Sequence, residues 1–536
     1  MTSRPLPYII ALARACSLSR AWALFEAGGY LDRRDDPAAL SVKGRLLKDR
    51  ALRADPAERG VLLEQAAQAY LAADRYQPEP YRLINAASLY GLAGHGEESR
   101  VLAREVLVRL DGPDPIAETP YYVEATRAEA MLLLGDVPAA AMALRRAVEA
   151  SPGNWSDLAG TLKQLGLICA AAGQDTSWLD PLRPPASLHF VGHMGFVAGA
   201  AGEQALARRV DRLIEDENIG FAFGALAAGA DIIVAERIVA AGGVLHVFLP
   251  TAVENFARDS VDPAGPQWRA RFDVLIARAH TVRSLTRHNG GHDSDATCLA
   301  NEVAMGCAVL NARQMESHAL QLAVLDEGGG GPHSARLAEH WRSARRRQIV
   351  EICPRDGADG PRDDMTPQPG QRRCSACLHI SVEPGGDRFE QTRVLGSLIA
   401  ALAGELKAGD ISVSPYAWRL RFRHPQQATR WAFALRRSLE DYPGLSGQVG
   451  MACHYGVKAV MIDPASQCEV DYDLGGIDED AVAQWLVPGS LTVSTDYLAA
   501  LSVDPSVAFH AERMGEHEGD ASQSIQLFAL ESGFSV

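Results

Sequence analysis

The chain has 536 residues, 47% of them hydrophobic and 22% charged, with a formal net charge of −15. That length exceeds what one hydrophobic core serves, so several domains are expected, and the acidic balance argues against a general nucleic-acid or anionic-membrane surface, which places cations against phosphates. Nine cysteines, odd in number and without framework spacing, fit a reducing cytoplasm. No uncharged run of about 18 residues is present to span a bilayer, and the opening MTSRPLPYIIALARAC is interrupted at Pro7 and Arg14, too soon for a signal segment.

Residues 1–175 read as helices, with Ala and Leu at 3.6 spacing between short Gly or Pro breaks. In YYVEATRAEAMLLLGDVPAAAMALRRAVEASP (121–152), Gly135 closes one helix, Ala139, Ala143 and Ala147 line the next, and Pro152 ends it. Small residues at such positions let paired helices approach closely, the plan of a helical-hairpin solenoid; a plain helical bundle is the simpler alternative. The unit resembles a tetratricopeptide repeat, with weaker copies at 66–80 and 84–107, and the stretch from Lys43 to Ala87 is similar to the helical TRAFs-binding region of apoptosis signal-regulating kinases. The resemblance implies a surface for a protein partner.

From 186 to 353 apolar runs alternate with helices. Strands are expected at 187–191, 220–223, 244–249, 281–285, 319–325 and 348–352, with helices near 200–216, 230–241, 268–279, 296–313 and 333–344. Continuous apolar strands separated by helices imply a parallel sheet covered on both faces. Ligands of such sheets settle at the carboxyl ends of strands, where backbone amides and helix N-termini converge. The candidates there are Gly192, His193 and Met194 after the first strand, Gly224 and Gly229 after the second, Gly290 and Gly291 after the fourth, and Gly328 after the fifth. The spacing Gly224-Ala-Leu-Ala-Ala-Gly229 is neither a Walker loop nor a dinucleotide fingerprint.

The order FVGHM, then GALAAGADIIVAERIVAAGGVLHVFLP, is similar to the SLOG superfamily, and that resemblance implies a Rossmann-like domain binding nucleotides or nucleotide-derived signals. Asp231 in the first helical turn either caps the helix or contacts the ligand. Glu236 stands near the glutamate of the phosphoribohydrolase PGGxGTxxE signature, but AAGADIIVAE lacks the paired glycines and the threonine, so binding is expected and hydrolysis is not. Asn301 and Glu302 are candidates for a pocket wall, while Trp268, Arg271 and the arginines at 342, 345, 346 and 347 read as packing or solvated helix surface.

PRDGADGPRDDMTPQPGQRR (354–373) reads as a linker. Residues 374–534 then mix strands and helices in an α+β order. ACLHISVEPGG, SPYAWRLRF, GQVGMACHYG and VPGSLTVS resemble the strands of a class III nucleotide cyclase homology domain. The chemistry of that family needs two aspartates holding two divalent cations. By this resemblance their places fall on Ser381 and Tyr416, which cannot bridge a metal, and DEDAVAQW (478–485) offers no arginine, so a pseudocyclase is implied. Glu383, Asp387 and Asp410 are the acids to consider were the alignment shifted. Cys374-Ser-Ala-Cys377 lacks the second half of a zinc ribbon, so no metal site is expected.

The expected architecture is multidomain: all-α helical repeats, an α/β Rossmann-like parallel sheet, then an α+β, ferredoxin-like cyclase homology domain. The expected role is a cytoplasmic, non-catalytic signalling scaffold or sensor. It would bind a small phosphorylated, nucleotide-type ligand and no fixed cofactor, would engage a protein partner through the repeats, and would pair with a second copy through 374–534. The alternatives are a nucleotide N-glycosidase using Glu236 and a nucleotide cyclase.

Overall fold

The computed structural model describes residues 6–14, 17–113, 118–197, 199–286, 294–329, 332–355, 372–383, 387–406, 410–462, 469–473, 482–518 and 524–533. The chain divides into two compact units, one of residues 1–184 with 314–317, the other of 185–313 with 318–536.

The first unit is helical: α1 (Leu6–Arg14), α2 (Leu18–Ala27), α3 (Pro37–Ala51), α4 (Pro56–Tyr76), α5 (Pro80–Leu92), α6 (Gly96–Leu110), α7 (Pro120–Leu133), α8 (Val137–Ala150) and α9 (Trp155–Ala172). Several starts share one device, a polar cap followed by proline. Asp36 and Asp55 each accept two backbone N–H groups of the turn that Pro37 and Pro56 open, and Thr119 does the same for one before Pro120. Gly135 sits at φ +87°, where glycine turns the chain between α7 and α8 without steric cost. Ala140, Ala143, Leu144 and Ala147 form the buried stripe of α8, so the small-residue face includes Ala143 and Ala147 as expected but runs through Ala140 rather than Ala139.

The helices α3, α5, α7 and α9 each send one polar side chain inward. Lys48 Nζ donates to Gln164 Oε1 at 2.5 Å, Gln164 Nε2 donates to Glu129 Oε1 at 2.8 Å, and Ser88 Oγ donates to the same oxygen at 2.5 Å. The row joins residues 116 positions apart, and α5, α7 and α9 pack on one another. The inner face of this unit is therefore closed upon itself at this level, where an extended solenoid would leave a groove. Burial raises the Glu129 carboxyl and lowers the Lys48 amine, the direction that desolvation imposes on each.

The second unit holds two sheets. The first contains β1 (Ala186–Gly192), β2 (Ile219–Gly224), β3 (Val244–Leu249), β4 (Thr281–Ser284), β5 (Ala319–Leu325) and β6 (Gln348–Ile352), all parallel, in the order β4-β3-β2-β1-β5-β6. Its connections are α10 (Ala201–Asp216), α11 (Ala230–Ala240), α12 (Val253–Ser260), α13 (Pro266–Arg278), α14 (Ser294–Gln314) and α15 (Pro332–Ser343). The expected strands are all present; among the described residues the additions are α12, a short helix, and the 3₁₀ turn Asp262–Ala264 after it. The order reverses between β1 and β5, which places the switch-point crevice at the carboxyl ends of those two strands.

The second, mixed sheet runs β13-β14-β12-β10-β7-β9-β8, with β11 paired to β10. Its strands are β7 (Arg372–Val382), β8 (Ile411–Ser414), β9 (Ala417–Phe422), β10 (Val449–Ile462), β11 (Glu469–Asp473), β12 (Leu491–Ser494), β13 (Phe509–Glu518) and β14 (Ser524–Ser532). Its helices are α16 (Arg388–Leu406), α17 (Pro425–Leu439), the single turn α18 (Pro443–Ser446) and α19 (Thr495–Val503). The stretch 411–423, expected as strand, is a hairpin broken at Pro415-Tyr416. The helix expected at 477–486 falls mostly outside the described residues.

The two sheets share one core. Ala296, Leu299, Ala300, Val303, Ala304 and Ala308 of α14 lie in the same apolar cluster as Phe223 and Phe248 of the first sheet and Leu378, Met451, Cys453 and Leu498 around the second. Met305 and Val309, on another side of α14, pack with Val191, Ala323 and Trp341. A helix apolar around most of its circumference must be covered on more than one side, and α14 is. At Gly306 the contact is so close that a Cβ would lie 1.8 Å from the Ala499 carbonyl oxygen of α19.

Candidate functional site

The crevice at β1 and β5 is built from close chain approaches, and the glycines serve those first. A Cβ on Gly192 would lie 2.3 Å from the Cβ of Ala230, and one on Gly224 would strike the Phe190 ring at 2.7 Å. Gly229, at φ +112°, leaves room for the His193 carbonyl, 2.9 Å from where its Cβ would stand. These residues let α11 enter directly above β1. Gly328 lies beside Asp326, whose carboxylate holds Arg355 at 2.5 Å on the rim.

His193 is buried and satisfied by the chain itself. Its Nε2 meets the Cys353 carbonyl at 2.9 Å, and its ring stacks on Phe196 with centroids 5.0 Å apart. Burial lowers its pKa, favouring the neutral ring. Met194, beside it, is half exposed at the crevice lip.

Asp231 differs from all of these. It lies in the first turn of α11 and is 6% exposed. One carboxyl oxygen accepts the Ala227 N–H at 3.3 Å; the other, Oδ1, is buried and has no hydrogen-bond partner. Burial pushes the carboxyl up to about 8, against the weaker opposing pull of the Ala227 and Gly192 amides. At neutral pH the group is therefore mostly a neutral acid, able to donate as well as accept.

Glu236, two turns into α11, does not face this point. Arg271 of α13 grips it bidentately at 2.8 and 2.6 Å, reaches Glu203 of α10 at 2.7 Å and lies over the Trp268 ring at 4.2 Å. This pairing ties three helices together and occupies the carboxylate. Asn301 donates to Thr297 O within α14. Glu302 is buried and accepts the Tyr455 hydroxyl of β10 at 2.5 Å, with Arg336 at 3.8 Å and His340 at 3.9 Å. Asn301 and Glu302 thus sit where α14 meets its neighbours, Glu302 against the second sheet. Gly290 and Gly291 lie outside the described residues.

At the corner of β7 and the β8–β9 hairpin, Ser381 and Tyr416, the two positions that the sequence resemblance would set against metal-binding aspartates, come together. Ser381 pairs in register with Ala417 and its Oγ donates to the Tyr416 carbonyl at 3.2 Å. The Arg388 guanidinium lies 4.0 Å from the Tyr416 ring centroid and donates to Val382 O at 3.1 Å. A fixed cation stands at this corner beside an alcohol and a phenol. The acids that a shifted alignment would invoke are placed elsewhere: Asp387 caps α16 through the Glu390 N–H, and Asp410 pairs with Arg421. Glu383 is exposed beyond the strand end. Arg388 was not anticipated from the sequence; an arginine opening the helix after the first strand of this region was the available signal.

Cys374 and Cys377, three apart on β7, point to opposite faces of the sheet; Cys374 donates to Asp295 O at 3.0 Å while Cys377 is buried. Arg346, expected in solvent, donates to the Val503 and Ser502 carbonyls at the end of α19.

No family model matches the chain, and no curated protein matches it. Among solved structures, the chain is similar to adenylate cyclases from Trypanosoma brucei (12% identity, 30% of this chain and 88% of that one, TM-score 0.25). It is likewise similar to the adenylyl cyclase CyaB from P. aeruginosa (10% identity, 31% and 96%, TM-score 0.25). A third is the guanylate cyclase domain of RhGC from Catenaria anguillulae in complex with GTP (9% identity, 31% and 100%, TM-score 0.25).

Proposed function

We propose that this chain is a ligand-responsive scaffold, in which the switch-point crevice binds a small phosphorylated, nucleotide-type ligand and the cyclase-like sheet serves as a non-catalytic partner surface. The observation that carries this reading is Asp231, a buried acid at a helix N-terminus with one carboxyl oxygen unpartnered. A buried polar atom left without a partner costs stability, and such groups are retained where a ligand supplies the missing bond. Held neutral, Asp231 does not repel an anion approaching the α11 N-terminus and can donate a hydrogen bond to one of its oxygens.

The corner of Ser381, Tyr416 and Arg388 supports the non-catalytic half of the reading, because two-metal catalysis needs carboxylates that bridge the ions and the residues here offer none. Glu236, clamped by Arg271, supports binding over cleavage of a ribosyl bond. The SLOG-like and tetratricopeptide-like resemblances of the sequence point the same way, toward recognition of a nucleotide-derived signal and of a protein.

The test is a thermal-shift and calorimetric screen of the full chain against mono-, di- and cyclic nucleotides and ribosyl phosphates. A ligand at 100 times its dissociation constant adds about 2.7 kcal/mol of stability. Binding that is lost in Asp231→Ala, with no base released and no cyclic nucleotide formed in Mg²⁺ or Mn²⁺, is the expected outcome. Turnover by the wild type that survives Asp231→Ala overturns the reading.

A further inference from the structure

After β6 the chain crosses the switch point, and it brings a guanidinium with it. Cys353 prolongs the ladder between β5 and β6 by donating its N–H to Leu325 O at 2.8 Å, and its carbonyl accepts from His193 Nε2 at 2.9 Å. Arg355, two residues on, makes the same crossing with its side chain. Its stem lies flat on Gly195 in the loop after β1, where a Cβ would stand 3.2 Å from Arg355 Cγ and 3.5 Å from its Cδ. Its Nε donates to Asp326 Oδ2, in the loop after β5, at 2.5 Å. Arg355 thus spans the two loops between which the strand order reverses.

Three features make this side chain more than a pin between loops. Only its Nε edge is engaged: neither terminal nitrogen has a hydrogen bond among the described residues, and the side chain is 30% exposed. It is also placed in advance of any ligand. Cys353 is fixed through its N–H, its carbonyl and its sulfur, which Arg209 meets at 2.7 Å while pairing with Glu351 at 3.0 Å. Finally, a second positive group stands nearby. Gly229, which opens α11, comes so close to Met194 that a Cβ there would lie 3.2 Å from Met194 Cα. The positive end of α11 and the guanidinium therefore flank one short loop, Met194-Gly195-Phe196. Met194 and Val197 leave their side chains half exposed on that loop, an apolar lip beside the cation.

A guanidinium held by a carboxylate at Nε presents its two amino groups as a fork, the shape that takes two oxygens of one phosphate. We infer that Arg355 is the phosphate-recognising residue of the switch-point crevice, positioned by Asp326 and selecting phosphorylated over neutral forms of the ligand, a role that rests on the crevice being the nucleotide site proposed above.

The full chain is titrated calorimetrically with AMP and ribose 5-phosphate, and with adenosine and ribose as their neutral counterparts. Wild type binds the phosphorylated pair at least about tenfold more tightly. Arg355→Met lowers affinity for AMP about tenfold or more and leaves adenosine unchanged, so the preference collapses. Arg355→Lys recovers only part of it, because a point charge replaces the fork. Loss of the guanidinium also bares Asp326, so the double variant Asp326→Asn/Arg355→Met is measured beside it. There AMP affinity stays low; full recovery would assign the loss to the bared carboxylate and overturn the inference. Asp326→Asn alone keeps the guanidinium, removes the opposing charge and tightens AMP binding about threefold. An unchanged affinity in that variant counts against the inference even if Arg355→Met folds poorly. AMP binding that Asp231→Ala abolishes and Arg355→Met leaves intact overturns the role of Arg355 alone. A wild type that binds neither phosphorylated probe overturns it together with the reading of the crevice.

Discussion

Asp231→Asn should make the protein more stable, and by an amount that grows with pH. In the unfolded chain the carboxyl titrates at its ordinary 3.8; in the fold burial holds it near 8. A pKa raised on folding means that the native state holds a proton the unfolded state releases. The stability associated with Asp231 is then fully present below pH 3.8 and is lost as pH rises toward 8. At 1.36 kcal/mol per pH unit, the native state has given up about 2 kcal/mol by pH 5 and about 4 kcal/mol by pH 7. Favourable interaction of the ionised form with the α11 N-terminus trims this by up to about 1 kcal/mol. Asparagine keeps the shape and cannot ionise, so the variant escapes the loss. Melting of wild type and variant at pH 5, 7 and 9, followed at a signal from the second unit, should show a Tm difference that widens from pH 5 to 7, to roughly 5 °C for a unit of this size, and levels off above 8. A variant that is less stable than wild type at every pH, or a difference that does not change with pH, refutes the reasoning.

Three further outcomes follow from other sites. His189, fully buried on β1 with Gln321 of β5 on Nδ1, is held down to about 3 by burial, so the native state resists protonation and loses about 2 kcal/mol between pH 6.5 and 5; urea unfolding of His189→Gln should show a shallower acid limb than wild type, and an unchanged limb contradicts this. Gly306→Val drives a Cβ into the Ala499 carbonyl, and the clash should cost about 3 kcal/mol or more or prevent the soluble fold, as read by circular dichroism and denaturant midpoint. Tyr455→Phe leaves Glu302 buried without its shortest partner and should destabilise by about 2 kcal/mol, with Glu302→Gln in the same background recovering part of the loss in a double-mutant cycle.

The inner strands of the parallel sheet were legible because each is a largely apolar run between helices, a pattern that both-face burial imposes, while the edge strands β4 and β6, with Arg283 and Glu351 in them and Val350 and Ile352 exposed, were legible from their place between helices. The α11 start was legible too, since a glycine and an acid at a helix opening are local features. What escaped was set by partners far along the chain. Glu236 has the right neighbours in sequence for a pocket residue, yet Arg271, 35 positions on, ties up its carboxylate. Nothing local marks Lys48 as the partner of Gln164 or Glu302 as the partner of Tyr455. Gly306 reads as one more small residue in a helix until α19 is laid against it. The corner at Ser381 and Tyr416 could be foreseen as lacking carboxylates, but not as holding a guanidinium, because that depends on how the first turn of α16 is aimed.

The helix α14 has a practical consequence for anyone who would cut this chain into pieces. The proline- and glycine-rich stretch before β7 invites a division there, yet the apolar side chains on either side of it interlock through Leu299, Val303 and Gly306. Fragments ending or starting there would each present a greasy wound to water and are expected to aggregate. Recombination with other modules in evolution meets the same restriction, so these two sheets must travel together.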